Sequence, residues 1–181
     1  MSVAVENFIK TVYKNGKQHN DTSTGSIAKK LGVSNAAVTD MAKKLASRDL
    51  LFYEKYQSLE LTSKGSKMAL NIVRKHRLWE ALLHNLFDMS LHEIHREAEL
   101  LEHETSDFLA DKISAYLGNP KFDPHGDPIP NSNGIITTKD NSIPLSQTEA
   151  GKSYVISRLV SDDKEFFDFN SLSFFTVCDT F

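Results

Sequence analysis

Two short helical patterns joined by a glycine-containing turn constrain the fold of this chain more than any other feature of its sequence. Between Thr24 and Leu51 the chain reads TGSIAKKLGVSNAAVTDMAKKLASRDLL. One side of each pattern is apolar and consists of Ile27, Ala28, Leu31, Val38, Met41 and Leu45. Gly32 suits the tight turn, and Ser34 is a ready N-cap for the second helix. This arrangement predicts a helix-turn-helix, a motif whose second helix offers its N-terminal residues to the DNA major groove.

The residues in and after the second helix predict where such a contact lies. The polar side of the helix consists of Asn35, Ala36, Thr39 and Lys43. In the residues that follow, LLFYEKYQSLELT, apolar and polar side chains alternate at 59–61. This alternation predicts a small hairpin with Lys55 near its tip. We interpret the hairpin as a wing beside a DNA-binding helix. A small helical domain with a hairpin that does not bind DNA is the alternative.

Charge is distributed unevenly along the 181 residues, whose net charge is −3. Up to Arg77 there are 14 Lys and Arg against 6 Asp and Glu, or +8, and beyond it there are 7 against 18, or −11. The basic part is expected to meet a polyanion, and the acidic part is expected to meet cations or a protein partner. Two solvated faces of opposite sign would give the same distribution.

The cysteine content and the hydropathy of the chain restrict the cellular compartment in which it can work and the atoms that can bind a metal. The single cysteine, Cys178, cannot form an internal disulfide, which fits a reducing compartment and leaves N and O atoms as metal ligands. No stretch approaches the roughly 18 consecutive apolar residues that a membrane span needs, and the N-terminus has no long apolar signal segment. We therefore expect a cytoplasmic protein with no membrane partner.

The rest of the chain predicts a mainly α protein. One long helix starts near Ser63, and another starts at the Ser90 cap and continues to Gly118. A loop rich in Pro, Gly, Asn and Asp follows, and β-prone runs such as 154–156 indicate a small β module. We predict a winged helix-turn-helix domain at 1–63, a helical domain at 64–141 and a short β segment at 142–181.

The stretch HREAELLEH places two imidazoles and three carboxylates within nine residues. On a helical wheel, four of these side chains share an arc of about 100° beside the apolar face. They are His95, Glu99, Glu102 and His103. On the preceding helix, His76 and Glu80 form an i,i+4 pair that packing can bring to His95. Carboxylate and imidazole together suit divalent Mn, Fe, Co, Ni and Zn, so the spacing predicts a metal site. A solvated polar flank is the alternative.

Several motifs together resemble the diphtheria toxin repressor family of metal-dependent transcriptional repressors. They are LTSKG after the wing, HRLWE, IHREAELLEHETSD and DPHGDPIP, and the similarity runs from about Val5 to Pro130. The resemblance implies a homodimer that binds double-stranded operator DNA when the metal level is high and represses genes of metal-ion homeostasis. It also implies dimerisation through the helices after the wing, a third, SH3-like domain that is short here, no enzymatic activity and no small organic substrate.

The resemblance also assigns residues to sites. The primary, activating metal site consists of Glu99, Glu102 and His103, joined by Asn7 from the first helix. The ancillary metal site consists of His76, Glu80 and His95. In some manganese-sensing members, the loop position of His125 also contributes, with a partner at Asp123. The start of the recognition helix consists of Ser34, Asn35, Ala36 and Thr39.

At the metal sites, three positions bear on which family pattern the chain follows. Iron sensors carry Cys where this chain has Glu99, so the pattern is closer to a manganese sensor. Manganese sensors carry Asp at the position of Asn7, whose amide oxygen is a weaker, uncharged ligand. Lys10 stands where two-domain manganese regulators use a ligating Glu. Mn(II) is the expected ion and Fe(II) the alternative, and we expect Zn(II), Co(II) or Ni(II) to occupy the site in vitro.

Two other classes of protein remain as alternatives. A di-metal helix-bundle enzyme needs facing Glu-x-x-His pairs, and no Glu of this chain has a His three residues later. A metal-independent winged-helix DNA-binding or adaptor protein would carry the His and Glu cluster as polar surface. We expect an isologous dimer built from apolar residues of the two long helices, because they supply more apolar surface than two helices can bury in each other. They are Trp79, Leu82, Leu83, Leu86, Phe87, Ile113, Tyr116 and Leu117.

Overall fold

A computed structural model describes residues 2–137 and 142–158 of the chain. These residues form six α-helices, one short 3-10 helix and one two-stranded antiparallel sheet, so the predicted mainly α class is confirmed. They divide into two units between Val73 and Arg74. Over the described ranges, none of the helices has both the length and the apolar character that a membrane crossing requires.

The first unit is a winged helix-turn-helix, as the sequence predicts. Its elements are α1 (Val3–Gln18), α2 (Thr24–Leu31), α3 (Asn35–Ala46), β1 (Leu51–Phe52) and β2 (Glu60–Leu61). The strands pair Leu51 with Leu61 and Phe52 with Glu60. Helices and hairpin share one apolar core, whose most deeply buried side chains include Ile9, Ile27, Val38, Leu45 and Leu59. Because β1 and α3 pack on the same core, the hairpin is held beside the second helix of the motif.

The turn between α2 and α3 follows directly from two residues. Gly32 ends α2 in the left-handed region, with φ of 66°, where the absence of a Cβ removes the steric cost. Ser34 begins α3 because its hydroxyl oxygen accepts a hydrogen bond from the Ala37 backbone N–H at 3.2 Å. The glycine and the cap together fix the angle at which α3 leaves the turn.

Three further helices follow the hairpin. They are α4 (Ser63–Leu86), α5 (Leu91–Leu101) and α6 (Asp107–Tyr116). A capping box begins α5: the Ser90 hydroxyl accepts from the Glu93 N–H at 3.3 Å, and the Glu93 carboxylate accepts from the Ser90 N–H at 2.8 Å. The expected single helix from Ser90 to Gly118 is wrong, because the chain breaks between α5 and α6.

Polar side chains make the break between α5 and α6 stable. The Thr105 hydroxyl donates to the Leu101 carbonyl at 2.6 Å and accepts from the Trp79 indole N–H at 2.7 Å. Ser106 then caps α6 by accepting from the Leu109 N–H at 3.1 Å. These bonds satisfy the backbone groups that the interruption leaves without helical partners.

The second unit has a small apolar core between α4 and α6. Leu78, Ala110 and Ile113 form its centre, and Trp79, Leu82, Leu117 and Ile129 pack around them. Leu83 is also buried. Part of the expected dimer surface is therefore interior, because several of its members pack against each other across this core. The exposed large apolar residues of these helices are Leu86, Phe87, Leu100, Phe108, Leu109 and Tyr116.

The segment after the loop does not contain the expected strand. Residues 142–158 include a short 3-10 helix, Leu145–Gln147, and the run 154–156 is not a strand. A β-prone run becomes a strand only when a neighbour completes its hydrogen bonds, and no described residue pairs with this one. Most of the predicted SH3-like segment, residues 159–181, lies outside the described residues.

Candidate functional site

Helices α4 and α5 each carry a histidine and a glutamate one turn apart. On α4, His76 and Glu80 are buried, and His76 Nε2 lies 3.0 Å from Glu80 Oε1. On α5, His95 and Glu99 are half-buried, with His95 Nε2 3.8 Å from Glu99 Oε1. The rings of His76 and His95 meet edge to face with centroids 4.8 Å apart. Packing of α4 against α5 thus brings the two pairs together.

Glu80 is the point at which three imidazoles converge. Besides its contact with His76, its Oε1 lies 2.8 Å from His95 Nδ1 and 3.6 Å from His125 Nδ1. Burial raises the pKa of Glu80, but the charge of His76 and hydrogen bonds from His125, His76 and His95 outweigh it and hold the pKa well below its usual range. Glu80 is therefore an ionised carboxylate in the protein interior.

Glu102, at the end of α5, is a second deeply buried carboxylate. Its Oε2 lies 2.7 Å from His76 Nδ1, and its Oε1 lies 3.3 Å from His103 Nε2. Glu99 Oε1 is 3.9 Å from the same His76 Nδ1. His76 thus faces Glu102 with one ring nitrogen and Glu80 with the other. A buried carboxylate is costly unless positive charge or several hydrogen bonds compensate it, and here the two carboxylates share one imidazole, that of His76.

The loop after α6 adds a third group of side chains. Asp123 Oδ1 accepts the backbone N–H groups of His125 and Asp127, each at 2.9 Å, which closes a tight turn. Arg77 of α4 contacts the same loop, with Nε 3.4 Å from Asp123 Oδ2 and Nη2 3.3 Å from Asp127 Oδ2. A Cβ at Gly126, where φ is 84°, would collide with the Ser157 carbonyl oxygen. The loop is therefore fixed to α4 with His125 held in place.

Burial and neighbouring charge shift the titration of the loop side chains. Burial and the charge of Glu80 raise the pKa of Asp123 to about 7, against the opposing charge of Arg77. Burial lowers the pKa of His125, but the hydrogen bond that its ring donates to Glu80 and the charge of Glu80 outweigh burial, so the net shift is upward. The charge of Glu80 thus acts on both loop side chains, and a bound cation would compensate that charge.

Two sets of donor atoms are close enough for each to hold one ion. The α4–α5 set comprises His76, His95 and Glu99, and the loop set comprises Glu80, Asp123 and His125. Within each set the ligand atoms lie within 4.8 Å of one another. Both sets offer nitrogen and oxygen without sulfur, a combination that suits divalent Mn, Fe, Co, Ni and Zn. The donor chemistry therefore fits the expected metal.

The grouping of these side chains differs from the two sites that the resemblance implies. The three residues of the implied ancillary site do lie together, but Glu80 also faces the loop, and His76 also faces Glu102. Of the implied primary site, His103 contacts Glu102. Asn7 lies on α1, and its Oδ1 is buried without a hydrogen-bond partner among the described residues. Its role as a ligand, like that of the others, stays a prediction.

Two residues of this region were not among the expected ligands. The sequence predicts Asp123 only as a partner of His125. The spacing Asp-x-x-Gly in DPHGD is nevertheless typical of a turn closed by the aspartate side chain. Arg77 carried no such signal, because one arginine on an amphipathic helix is ordinary surface. Its contact with the loop depends on tertiary packing.

Helix α3 presents the expected DNA-contact residues on its solvent side. Its buried residues are Val38, Ala42 and Leu45. Ser34, Asn35, Ala36 and Lys43 are exposed, and Thr39 is half-buried. Lys55 is exposed in the turn of the hairpin. All six residues are accessible to a partner, and their contact with DNA remains a prediction.

The fold and the site together define a winged helix-turn-helix protein with an imidazole–carboxylate centre. Residues 1–59 match the family described as "Iron dependent repressor, N-terminal DNA binding domain". Residues 62–131 match "Iron dependent repressor, metal binding and dimerisation domain". The chain belongs to this iron-dependent repressor family, and its resemblance to the diphtheria toxin repressor is confirmed.

Individual relatives include both iron- and manganese-dependent regulators. The iron-dependent repressor IdeR of Mycobacterium leprae (strain TN) is 33% identical over 125 residues, or 69% of this chain and 54% of that protein. The HTH-type transcriptional regulator MntR of Geobacillus kaustophilus (strain HTA426) is 34% identical over 110 residues, or 61% and 77%. A manganese-dependent transcriptional repressor solved in complex with manganese has a TM-score of 0.86 at 31% identity, covering 95% of this chain and 79% of that one. The chain spans about half the length of the first curated relatives.

Proposed function

We propose that this chain is a metal-activated transcriptional repressor that binds double-stranded operator DNA as a homodimer and controls genes of metal-ion homeostasis. The observation that supports this most is the contact of one buried imidazole, His76, with two buried carboxylates, Glu80 and Glu102. A bound divalent cation would supply the positive charge that these carboxylates share. The metal then has a regulatory role, and the proposal includes no catalytic step.

The activating ion in this proposal is Mn(II), with Fe(II) as the alternative. Glu99 offers oxygen where a thiolate would favour softer ions, and Glu80 and Asp123 add two more hard ligands. Similar structures contain manganese, Cd2+ and Zn2+. We expect Zn(II), Co(II) and Ni(II) to occupy these sets in vitro, because the later first-row ions bind nitrogen and oxygen ligands more tightly than Mn(II).

The proposed switch follows from where the ligands lie in the second unit. They come from α4, from α5 and the turn after it, and from the loop 123–127. In the metal-free protein, repulsion between Glu99 and Glu102 favours arrangements in which these segments separate. When that repulsion is neutralised, Glu80 and His76 hold α4 against α5 and the loop. Each 1.4 kcal/mol of preference for the DNA-binding arrangement is worth about tenfold in apparent affinity.

On the DNA side, the start of α3 carries the proposed base-reading residues. Ser34, Asn35, Ala36 and Thr39 occupy its first turns, and Lys43 and Lys55 are the proposed phosphate contacts. A homodimer would place two such helices on half-sites separated by whole helical turns. Because the proposed partner is operator DNA, we propose the cytoplasm as the compartment.

A DNA-binding titration tests this proposal. Duplexes of about 30 base pairs, long enough for two half-sites, are first selected from a random library by the full chain with Mn(II). Binding is then measured by fluorescence anisotropy in chelator and with Mn(II), Fe(II) or Zn(II) added separately. We expect Mn(II) to raise the affinity at least tenfold over chelator. Equal affinity in chelator and in Mn(II) would contradict the proposal and favour a metal-independent winged-helix protein.

A further inference from the structure

The turn at the tip of the hairpin holds a residue that its backbone conformation disfavours. Glu54 to Gln57 form a four-residue turn closed by a hydrogen bond from the Gln57 N–H to the Glu54 carbonyl at 3.2 Å. Its third residue, Tyr56, has φ of 68°. Turns with a positive φ at this position ordinarily carry Gly or Asn, because a bulky side chain is strained there. Folding of the turn alone therefore does not account for the tyrosine.

The side chain of Tyr56 gains little from the protein that carries it. It is 90% exposed, and the ring contact that the structure describes is with its neighbour Lys55, whose ammonium lies 4.7 Å from the ring centroid. Three residues earlier, Tyr53 is half-buried and packs against the core of the unit. A strained, exposed aromatic residue is typical of a position retained for a partner.

The hairpin lies next to the helix that is proposed to enter the major groove. The Leu50 N–H donates to the Leu45 carbonyl at 3.0 Å, so β1 begins directly beyond the last turn of α3. A helix in the major groove is flanked by the two sugar–phosphate backbones. A hairpin that projects from the end of such a helix is therefore close to a backbone rather than to the base edges of the groove.

We propose that Tyr56 is a second DNA contact, in which its phenol O–H donates to a phosphate oxygen and its ring lies on the adjacent deoxyribose. Lys55, whose ammonium is beside the same ring, pairs with the phosphate charge. Because the ring of Tyr56 is exposed at the tip of the hairpin, it is available to a duplex bound by α3. This inference rests on the proposed DNA-binding function. It adds a contact that carries no sequence information, unlike those of α3.

The experiment compares Tyr56→Gly and Tyr56→Asn with the wild-type full chain in Mn(II). Both replacements suit a positive φ, so we expect the melting temperature to stay equal or rise. We expect affinity to fall about fivefold, the effect of one lost hydrogen bond, and to fall equally on the selected duplex and on a random duplex of the same length. The dependence of binding on salt should keep its wild-type slope, because tyrosine is neutral. Lys55→Ala should reduce that slope by about one.

Different results overturn different statements. Wild-type affinity of Tyr56→Gly would show that Tyr56 is not a DNA contact. A melting temperature several degrees below wild type would show that the tyrosine stabilises the turn and would overturn the premise that it is held there for a partner. Loss of affinity on the selected duplex alone would place Tyr56 among the base-reading residues and overturn the backbone contact. Thr39→Ala on α3 is the control, because it should change which duplexes are preferred. If the wild-type chain binds no duplex in Mn(II), the proposed function fails first and the inference fails with it.

Discussion

The two units bury different kinds of side chain. Among the described residues, the first unit removes 15 apolar side chains from water against three polar ones, Lys10, Asn15 and Thr62. The second unit removes eight apolar side chains, Pro130 included, against seven polar ones, four of which are His76, Glu80, Glu102 and His125. A unit built like the first is stabilised by apolar burial alone, at about 25 cal/mol per Å². A unit built like the second is stable only to the extent that its buried charges are balanced.

Under the proposed function, this difference places the metal response in the second unit and the DNA-binding face in the first. The caps and apolar core of the first unit keep α3 formed whether or not an ion is present. In the second unit, the contacts of His76, Glu80 and Glu102 tie three segments together through charge. We therefore expect changes of metal or of these side chains to act on the second unit and to leave the core of the first unchanged.

The largest expected effect comes from Glu102→Gln. The substitution keeps the shape of the side chain and removes one buried negative charge facing His76 and His103. Loss of a residue that only supports a ligand costs about 10- to 100-fold in metal affinity. Because Glu102 is itself a proposed ligand, we expect the Mn(II) concentration at half-saturation, the Mn(II) midpoint, to rise by about 100-fold or more. Isothermal titration calorimetry measures the midpoint, and circular dichroism checks that the fold is retained.

The matched control for this substitution is Glu104→Gln, two residues further along the chain. Glu104 is exposed, so its replacement should leave the Mn(II) midpoint within about twofold of wild type. A wild-type midpoint for Glu102→Gln would show that this cluster does not sense the metal.

The second effect concerns hydrogen exchange in the two units. Mn(II) at about 100 times its dissociation constant stabilises the state that binds it by about 2.7 kcal/mol, which slows exchange through unfolding about 100-fold. We expect this protection in peptides that cover α4 and α5. Peptides that cover the core positions Ile27 and Leu45 should exchange at the same rate with and without Mn(II). Exchange is measured by mass spectrometry. Equal protection in both units would contradict the expectation that the metal acts on the second unit alone.

Local signals in the sequence were sufficient for the first unit. The turn at Gly32 and the cap at Ser34 depend on residues within a few positions of each other, and both occur as expected. The break after α5 was missed because the helical period continues through it. What interrupts the helix is Thr105, whose hydroxyl bonds Leu101 and the distant Trp79. A contact with a residue 26 positions away leaves no local pattern.

The residue types of the candidate metal centre were also predictable, but their grouping was not. Spacing placed His95 and Glu99 on one side of a helix, and they do meet the pair on α4. Which carboxylate faces which ring nitrogen of His76 depends on how α4 packs on α5. Asp123 and His125 reach Glu80 only because the loop folds back onto α4. Sequence periodicity describes one helix at a time and contains no information on either arrangement.

A smaller effect is expected from Arg77→Gln, a substitution that should weaken one donor set and not the other. Arg77 contacts Asp123 and Asp127 and donates to the Pro128 carbonyl, so it orients the loop without being a ligand. Its loss should weaken Mn(II) binding by the loop set about tenfold and leave the α4–α5 set unchanged. Calorimetry should then resolve two classes of site where the wild type shows similar affinities. Arg96→Gln, at an exposed position of α5, is the control. Equal weakening of both sets would show that Arg77 acts on the whole unit.

The smallest expected effect compares one helix cap from each unit. Ser23 caps α2 by accepting from the Ser26 N–H at 3.2 Å, and Ser90 caps α5 by accepting from the Glu93 N–H at 3.3 Å. Alanine at either position should cost about 1 kcal/mol in the free energy of unfolding. Ser90→Ala also loosens the first turn of the helix that carries His95, so Mn(II) should bind up to about fivefold more weakly, the affinity equivalent of 1 kcal/mol. Ser23→Ala should bind Mn(II) as wild type does, because its helix contributes no ligand to either set. Chemical denaturation measures the free energy of unfolding, and calorimetry measures the Mn(II) affinity. If the Mn(II) midpoint shifts as much in Ser23→Ala as in Ser90→Ala, metal binding is coupled to the apolar core of the first unit. That result would contradict the expectation that the metal acts on the second unit alone.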